Sequence, residues 1–183
     1  VFTNMSLLIS DLGTGEALIQ HQKDDNSLES SVFWLNIGIG SVITILLILA
    51  STAISKIYGK PIVGVIVQVL ALSVLIQSVN LVQVALLKKR RDFKKIALAE
   101  LCAQIGGAIV AISLALAKFG VWSLVGYVMA KTLVYTLVLW IVSNWRPSIK
   151  INLVKLNSII NFSINLSLAK FLNYIERNSD KLI

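Results

Sequence analysis

The sequence predicts an all-α, polytopic transmembrane helical bundle, and three observations indicate this fold class. Of its 183 residues, 56% are hydrophobic and 14% are charged, whereas soluble domains average about 45–50% and about 25%. The apolar residues are gathered into blocks long enough to cross a bilayer, which takes about 20 residues of α-helix. Most Lys and Arg residues fall between these blocks, on one side of the predicted bundle. A soluble fold of this size buries only about 70% of its surface and could not hide so much apolar side chain.

The composition also excludes several classes of protein. A chain this apolar is not expected to be disordered, to be a nucleic-acid-binding domain or to be an ordinary soluble enzyme. The net charge of +8 alone would suggest nucleic-acid binding, but the apolar composition argues against it. The single cysteine, Cys102, excludes a disulfide framework and any metal site that needs several cysteines. Because the chain begins at Val1 rather than at a methionine, we expect a processed product or a piece of a longer protein.

Four hydrophobic blocks are long enough to span the membrane, and a fifth is long enough but more polar. Backbone polar groups in lipid must be satisfied within the segment, so we expect each block to be an α-helix. Strands of a membrane barrel would alternate in polarity over about ten residues, and these blocks do not. Short connections with Gly and Pro make neighbouring helices antiparallel. Within one incomplete transmembrane domain, 1–183, the predicted helices are 33–55, 62–87, 96–117, 121–142 and 157–175, after a helix tail in 1–20 that ends at the break 11–15.

The basic residues predict which helix ends face the cytoplasm. If consecutive helices alternate in direction, ten Lys and Arg residues lie on one side and only Lys56, Lys60 and Lys118 on the other. Positive residues accumulate on the cytoplasmic side of membrane proteins, so loops 21–32, 88–95 and 143–156 are predicted to be cytoplasmic. The basic loop 88–95 is then a topology determinant that also meets anionic lipid head groups, not a nucleic-acid site. The ten are Lys23, Lys88, Lys89, Arg90, Arg91, Lys94, Lys95, Arg146, Lys150 and Lys155.

Lys131 is the clearest ionisable residue inside a predicted span. It lies ten residues into its block, about 15 Å along the helix and near the middle of a hydrocarbon core of about 30 Å. Tyr127 and Tyr135, four residues to either side, share its helical face. One interpretation is a cationic contact for a phosphate or another anion in a central cavity. The other is a lysine that extends towards an interface or pairs with a carboxylate.

Other polar residues recur at helical spacing in two of the blocks. In 62–87 they form one stripe, which either binds neighbouring helices through hydrogen bonds or lines a path for sugar. The block 157–175 has two polar stripes, so we expect it to be central and to line a hydrated space. The candidate anion contacts are Lys131, Lys170 and Arg177, and the candidate cavity-lining residues are Gln77, Asn80, Asn165 and Asn173.

The sequence contains no constellation of catalytic residues. His21 stands alone in a polar linker, and Cys102 has apolar neighbours and no histidine partner. Gly13 and Gly15 are not followed by the Gly-Lys-Ser/Thr of a phosphate-binding loop. We therefore expect no enzyme activity, no metal and no cofactor. A multi-helix membrane protein with polar interior groups and no catalytic set is most simply a transporter.

Several short motifs carry a resemblance to a known family. In order, they are DLGTGEALIQ at 11–20, FWLN at 33–36, YGKP at 58–61, VLALS at 69–73, ALL at 85–87, DFK at 92–94, GVWSLV at 120–125, WRP at 145–147, NY at 173–174 and DKLI at 180–183. Together they resemble the Wzx-like flippases of the multidrug/oligosaccharidyl-lipid/polysaccharide exporter superfamily. The resemblance is strongest to the colanic and teichuronic acid exporter branch, and it covers nearly the whole chain.

This resemblance implies an architecture and an activity. Members have about twelve to fourteen transmembrane helices in two halves around a central cavity, and this chain would supply the second to the seventh. The implied activity moves an oligosaccharide linked to undecaprenyl pyrophosphate across the bacterial cytoplasmic membrane by alternating access. The implied partners are that lipid-linked oligosaccharide, membrane lipids, and a polysaccharide polymerase and glycosyltransferases of the same pathway.

Two alternatives stay open at this point. The chain could belong to a related exporter of drugs or of another lipid-linked precursor. It could instead be a truncated membrane subunit that transports nothing and only assembles with other proteins. A coding sequence that continues into a second hydrophobic half, among glycosyltransferase genes, would favour a flippase, whereas a stop after Ile183 would favour the assembly subunit.

The predicted orientation can be tested by cysteine labelling. A cysteine placed beside Lys94, in a Cys102→Ser background, should resist a membrane-impermeant thiol reagent in intact cells and react once the cells are permeabilised. A cysteine beside Lys118 is the matched control and should react in both conditions. Ready labelling beside Lys94 in intact cells would overturn the predicted topology.

Overall fold

The computed structural model describes residues 14–20 and 25–149, and these residues are helical except for short turns and the end of the described chain. The helices are α1 (Thr14–Gln20), α2 (Asn26–Ile57), α3 (Pro61–Ser78), α4 (Leu81–Lys89), α5 (Phe93–Leu116) and α6 (Trp122–Val142). Four segments are long and apolar enough to cross a membrane: α2, α3 with α4, α5 and α6. The all-α fold class is therefore confirmed. The predicted helix 157–175 lies outside the described residues, as do Asn165, Lys170, Asn173 and Arg177.

The helix α2 begins at Asn26, well before the predicted start at residue 33. Asp25 is its N-cap: its Oδ1 accepts hydrogen bonds from the backbone N–H groups of Ser27 and Leu28 at 3.1 and 3.4 Å, as capping carboxylates do. With 32 residues, α2 is about 48 Å long, so it extends beyond a core of about 30 Å. The predicted loop 21–32 was therefore wrong in its second part, which is helical.

The predicted helix 62–87 is broken into α3 and α4 at Val79 and Asn80. The N–H of Asn80 donates to the carbonyl of Gln77 at 3.0 Å, three residues back, so the α-helical ladder is interrupted. Its side-chain Nδ2 donates instead to Oγ1 of Thr136 on α6 at 2.8 Å. The prediction of a continuous helix was wrong because this break depends on a partner on another helix and not on a local Gly or Pro.

Three helices end in the same type of tight turn. The residue after the cap of α2, α4 and α5 has a left-handed backbone, with φ of 63° at Gly59, 55° at Arg91 and 61° at Lys118. In the α4–α5 turn the N–H of Arg91 bonds to the carbonyl of Lys88 and that of Asp92 to the carbonyl of Leu87, both at 2.9 Å. This pair of hydrogen bonds is the Schellman motif, which favours glycine at the left-handed position. A residue with a side chain costs about 1 kcal/mol or more in that conformation.

Small residues let the helices approach closely, which is usual for packing within membranes. A Cβ added to Gly40 of α2 would lie 2.6 Å from Oγ of Ser78, at the end of α3. A Cβ on Gly126 of α6 would collide with the end of the Leu114 side chain on α5. The close approach of α2 to α3 therefore depends on the missing side chain of Gly40, and Gly126 leaves room for Leu114 between α5 and α6.

One end of the bundle carries the α4–α5 turn, and we call it the basic end. The ring of Phe33, near the start of α2, lies edge-on to three tryptophans, with centroid distances of 5.5 Å to Trp34, 6.3 Å to Trp140 and 5.7 Å to Trp145. The start of α2 and the end of α6 therefore meet, as alternating helices require. The buried cluster around them consists of Leu18, Leu28, Val32, Phe33, Val82, Ala85, Leu86 and Trp145.

The segment 143–148 ties the end of α6 to the start of α2. Nε1 of Trp145 donates to Oδ1 of Asn26 at 3.0 Å, and the N–H of Ser148 donates to Oγ of Ser30 at 2.9 Å. The guanidinium of Arg146 lies over the ring of Trp140 and donates to its carbonyl at 2.8 Å, so it caps the end of α6. Part of the predicted loop 143–156 is thus fixed against the bundle.

A pair of glycine variants tests the close contact between α2 and α3. Gly40→Ala should lower the free energy of unfolding by about 1–3 kcal/mol, because the new methyl group collides with Ser78. Gly38→Ala on the same helix meets nothing within 4 Å and should be neutral or stabilising by up to about 1 kcal/mol. The measurement is denaturant unfolding of the complete protein in detergent micelles. Equal effects of the two substitutions would contradict the close contact.

Candidate functional site within the membrane spans

Lys131 lies near the middle of α6 and is half-buried. A Cβ added to Gly107 of α5 would be 3.1 Å from Cβ of Lys131, so the lysine stem starts directly against the neighbouring helix. Its Nζ is 6.0 Å from the ring centroid of Tyr127, at the outer limit of a cation–π contact. Within the described part of the chain, Lys131 pairs with no carboxylate. The cation is therefore held inside a span without a neutralising charge among these residues.

Tyr127 joins Lys131 to a polar residue on α5. The Tyr127 hydroxyl donates a hydrogen bond to Oε1 of Gln104, which lies opposite it because α5 and α6 run antiparallel. Gly107 makes this approach possible, since a Cβ there would lie 3.0 Å from the Tyr127 ring. Glu100, one turn before Gln104, is exposed. The group that Tyr127 contacts on α5 is thus a neutral amide and not the carboxylate of Glu100.

A second polar group joins α6 to the break between α3 and α4. Asn80 is buried and donates to Thr136, whose Oγ1 donates in turn to the carbonyl of Thr132 at 2.8 Å. The oxygen of this amide, Asn80 Oδ1, is buried and has no hydrogen-bond partner among the described residues. Asn80 was predicted to line a cavity, and the structure shows it as a contact between helices with one unused acceptor.

Gln83 belongs to the polar stripe predicted in 62–87, but it is not among the candidate site residues named from the sequence. Its side chain is fully buried, and neither Oε1 nor Nε2 has a hydrogen-bond partner among the described residues. A desolvated amide without a partner costs several kcal/mol in an apolar medium, about 2–7 by transfer data. Trp140 adds a buried indole N–H that is likewise unbonded within this part of the chain. Three buried groups in the described chain thus lack hydrogen-bond partners: the amide of Gln83 on α4, the indole N–H of Trp140 on α6, and Asn80 Oδ1 at the break between α3 and α4.

Burial differs along the predicted polar stripe in 62–87, whose members are Ser73, Gln77, Asn80 and Gln83. Ser73, Asn80 and Gln83 are buried, whereas Gln77 is exposed and its side chain lies outside the packed interior of the described helices. That Gln77 lines a cavity stays a prediction.

The described residues hold no group of three or more His, Cys, Asp or Glu side chains that could bind a metal ion. Cys102 is a free, half-buried thiol on α5. The polar groups in the middle of these spans include the Lys131 cation, the hydroxyls of Tyr127 and Tyr135 and several amides. Such groups bind and release polar ligands, and they provide no nucleophile with an activating base.

A matched pair of glutamine variants tests whether Gln83 is unsatisfied. Gln83→Met keeps the length of the side chain and removes the amide, so the free energy of unfolding should rise by about 1–3 kcal/mol. Gln77→Met makes the same change on an exposed face and should shift it by less than about 0.5 kcal/mol. Both are measured by unfolding of the complete protein in detergent. A loss of stability in Gln83→Met would show that the amide has a partner.

Comparison with known proteins places these features in a family. The family model described as "Polysaccharide biosynthesis protein" matches residues 1–183. A succinoglycan biosynthesis transport protein of Rhizobium meliloti is 26% identical over 176 residues, which cover 96% of this chain and 36% of the relative. A lipopolysaccharide biosynthesis protein of Escherichia coli is 23% identical over 178 residues, which cover 96% of this chain and 36% of the relative. A teichuronic acid biosynthesis protein of Bacillus subtilis is 24% identical over an alignment of 186 residues, which covers 99% of this chain and 38% of the relative.

The chain thus spans little more than a third of the length of these curated relatives. No solved structure matches it. The match of the family model over residues 1–183 confirms the resemblance found in the sequence motifs. With its apolar helical spans, the chain is a multi-pass membrane protein, and it belongs to the polysaccharide biosynthesis protein family.

Proposed function

We propose that the protein containing this chain moves a lipid-linked oligosaccharide from the inner to the outer leaflet of the bacterial cytoplasmic membrane. The cargo would be a polysaccharide repeat unit on undecaprenyl pyrophosphate, and the mechanism alternating access. One relative is named a transport protein, and the names of all three place them in the biosynthesis of a polysaccharide or lipopolysaccharide. The observation that carries the proposal is Lys131, a half-buried cation in mid-span that no described carboxylate neutralises.

Lys131 would act on the charged part of the cargo. An ionisable group in the hydrocarbon is costly and normally faces an interior path or a counter-charge. A pyrophosphate carries that counter-charge, and the attraction between the two is stronger inside the membrane than in water because the dielectric constant is lower. The lysine would therefore lower the barrier for the anionic head group at the depth where water is scarcest.

Neutral polar groups would act on the sugar. The Tyr127 hydroxyl and the Gln104 amide are bonded to each other in this structure, and each could exchange that bond for one to a sugar hydroxyl. Gln83 has its amide unused. Moving a molecule between leaflets breaks no covalent bond, so binding groups without a catalytic set suffice. Lys170, Arg177, Gln77, Asn165 and Asn173 remain predicted contacts of the same path.

Substitution of Lys131 tests the proposal. In the complete protein, Lys131→Ala should reduce export of surface polymer at least about tenfold, because a charge-assisted contact contributes about 1.5–3 kcal/mol. Lys131→Arg keeps the cation and should retain much of the export. The assay is polymer at the cell surface in a strain that lacks the native gene, with protein level followed by immunoblot.

Lys60→Ala is the matched control for loss of one positive charge, since Lys60 is exposed in the α2–α3 turn. It should leave export unchanged. Normal export by Lys131→Ala, at a normal protein level, would contradict the proposed role of this lysine. Loss of export in both alanine variants would point to net charge and not to a contact with cargo.

A further inference from the structure

We propose that the α4–α5 turn is a binding surface for the head groups of anionic phospholipids. The turn presents four exposed cations, Lys88, Arg90, Arg91 and Lys94. Among the described residues, none of these four forms an ion pair. The carboxylate of Asp92 is already engaged, at 2.9 Å from Nζ of Lys95. The turn therefore has a local excess of positive charge, which Asp92, engaged by Lys95, does not neutralise at these four cations.

The position of the turn fixes the depth of these cations. It joins two membrane spans, Pro61–Lys89 and Phe93–Leu116, so its charges lie where the hydrocarbon gives way to head groups. Phe93, the first residue of α5, is 60% exposed, as an aromatic anchor at this level would be. The charges and the anchor together match an anionic bilayer surface, where each Lys or Arg contributes favourably to binding.

The cations also face the side on which lipid lies. Exposed apolar side chains follow one another along α5 at steps of three and four residues, which is a single helical face. Lys94 precedes Leu98 by one turn at the head of this face, so its ammonium group is above the lipids that would cover it. The exposed apolar residues of this face are Leu98, Leu101, Ile105, Ile109, Ile112 and Leu116.

The backbone of the turn adds a separate argument. Arg91 has φ of 55° in the position that glycine occupies at the end of α2, where Gly59 closes the same motif. Glycine would form this turn with less strain, yet the chain has a cation there. The left-handed residue of this turn therefore carries a guanidinium at the level of the head groups.

Lys118 supplies an internal comparison. It has φ of 61° at the end of α5 and closes the same type of turn, but at the opposite end of the helix. On that side of the described bundle the only other basic residues are Lys56 and Lys60. Arg91→Gly and Lys118→Gly therefore remove the same charge and relieve the same backbone strain, and they differ in the density of surrounding positive charge.

The test is lipid binding by the complete protein in detergent, measured by native mass spectrometry with equal amounts of phosphatidylglycerol and phosphatidylethanolamine. Wild type should prefer the anionic lipid. Arg91→Gly should reduce that preference about fivefold, which is the effect of losing one cation at an anionic surface. Lys118→Gly should leave the preference unchanged, and the triple variant Lys88→Ala, Arg91→Gly, Lys94→Ala should abolish it.

Thermal unfolding of the same samples shows whether a variant is misfolded. Both glycine variants should unfold at the wild-type temperature or above it, since each relieves strain. An unchanged preference in Arg91→Gly and the triple variant would overturn the proposal, and so would an equal loss in Lys118→Gly. If the triple variant lost affinity for a short RNA while its lipid preference stayed the same, the surface would bind nucleic acid and the lipid proposal would be wrong.

Discussion

The lack of water in the bilayer core is the constraint on which the rest of this structure depends. Every backbone group in a span must find its partner within the protein, so the spans are helices. Hydroxyl side chains follow the same rule: Ser41 donates to the carbonyl of Ile37 at 2.8 Å, one turn back on its own helix. Where the ladder is interrupted, at Asn80, the side chain bonds to Thr136 on another helix. The few buried groups that break the rule, above all Gln83, then become informative.

How far the sequence could predict this arrangement depended on whether the cause was local. Block length and the Gly and Pro residues of the turns are local, and they indicated the four spans that the described residues contain. The N-cap of α2 is also local, at Asp25, but it lies outside the apolar block and hydropathy alone could not reveal it. The break at Asn80 depends on Thr136, 56 residues away, and no local pattern encodes it.

The candidate site shows the same division. Helical spacing correctly placed Tyr127 beside Lys131, because both lie on α6 one turn apart. On the antiparallel neighbour α5, Gln104 lies at the height of Tyr127, which bonds to it. Spacing could not tell which amides of the second block would find a partner. Among the described residues, the amide nitrogen of Asn80 finds one in Thr136 and the amide of Gln83 finds none, because such a partner lies on another helix.

The basic end of the described bundle couples α2 to the end of α6, which bears on how such a unit could take part in transport. At the basic end, four hydrogen bonds join the start of α2 to the segment that follows α6, and Phe33 packs against three tryptophans. Separating these helices there would expose the rings and leave the indole N–H of Trp145 unbonded. Since a buried donor without a partner costs about 1–3 kcal/mol, α2 and α6 are coupled at that end. The stem of Lys131 starts against Gly107 of α5 in mid-span, on a helix whose far end is tied to α2, so under the proposed function a cargo would meet this lysine on a helix held in place at the basic end.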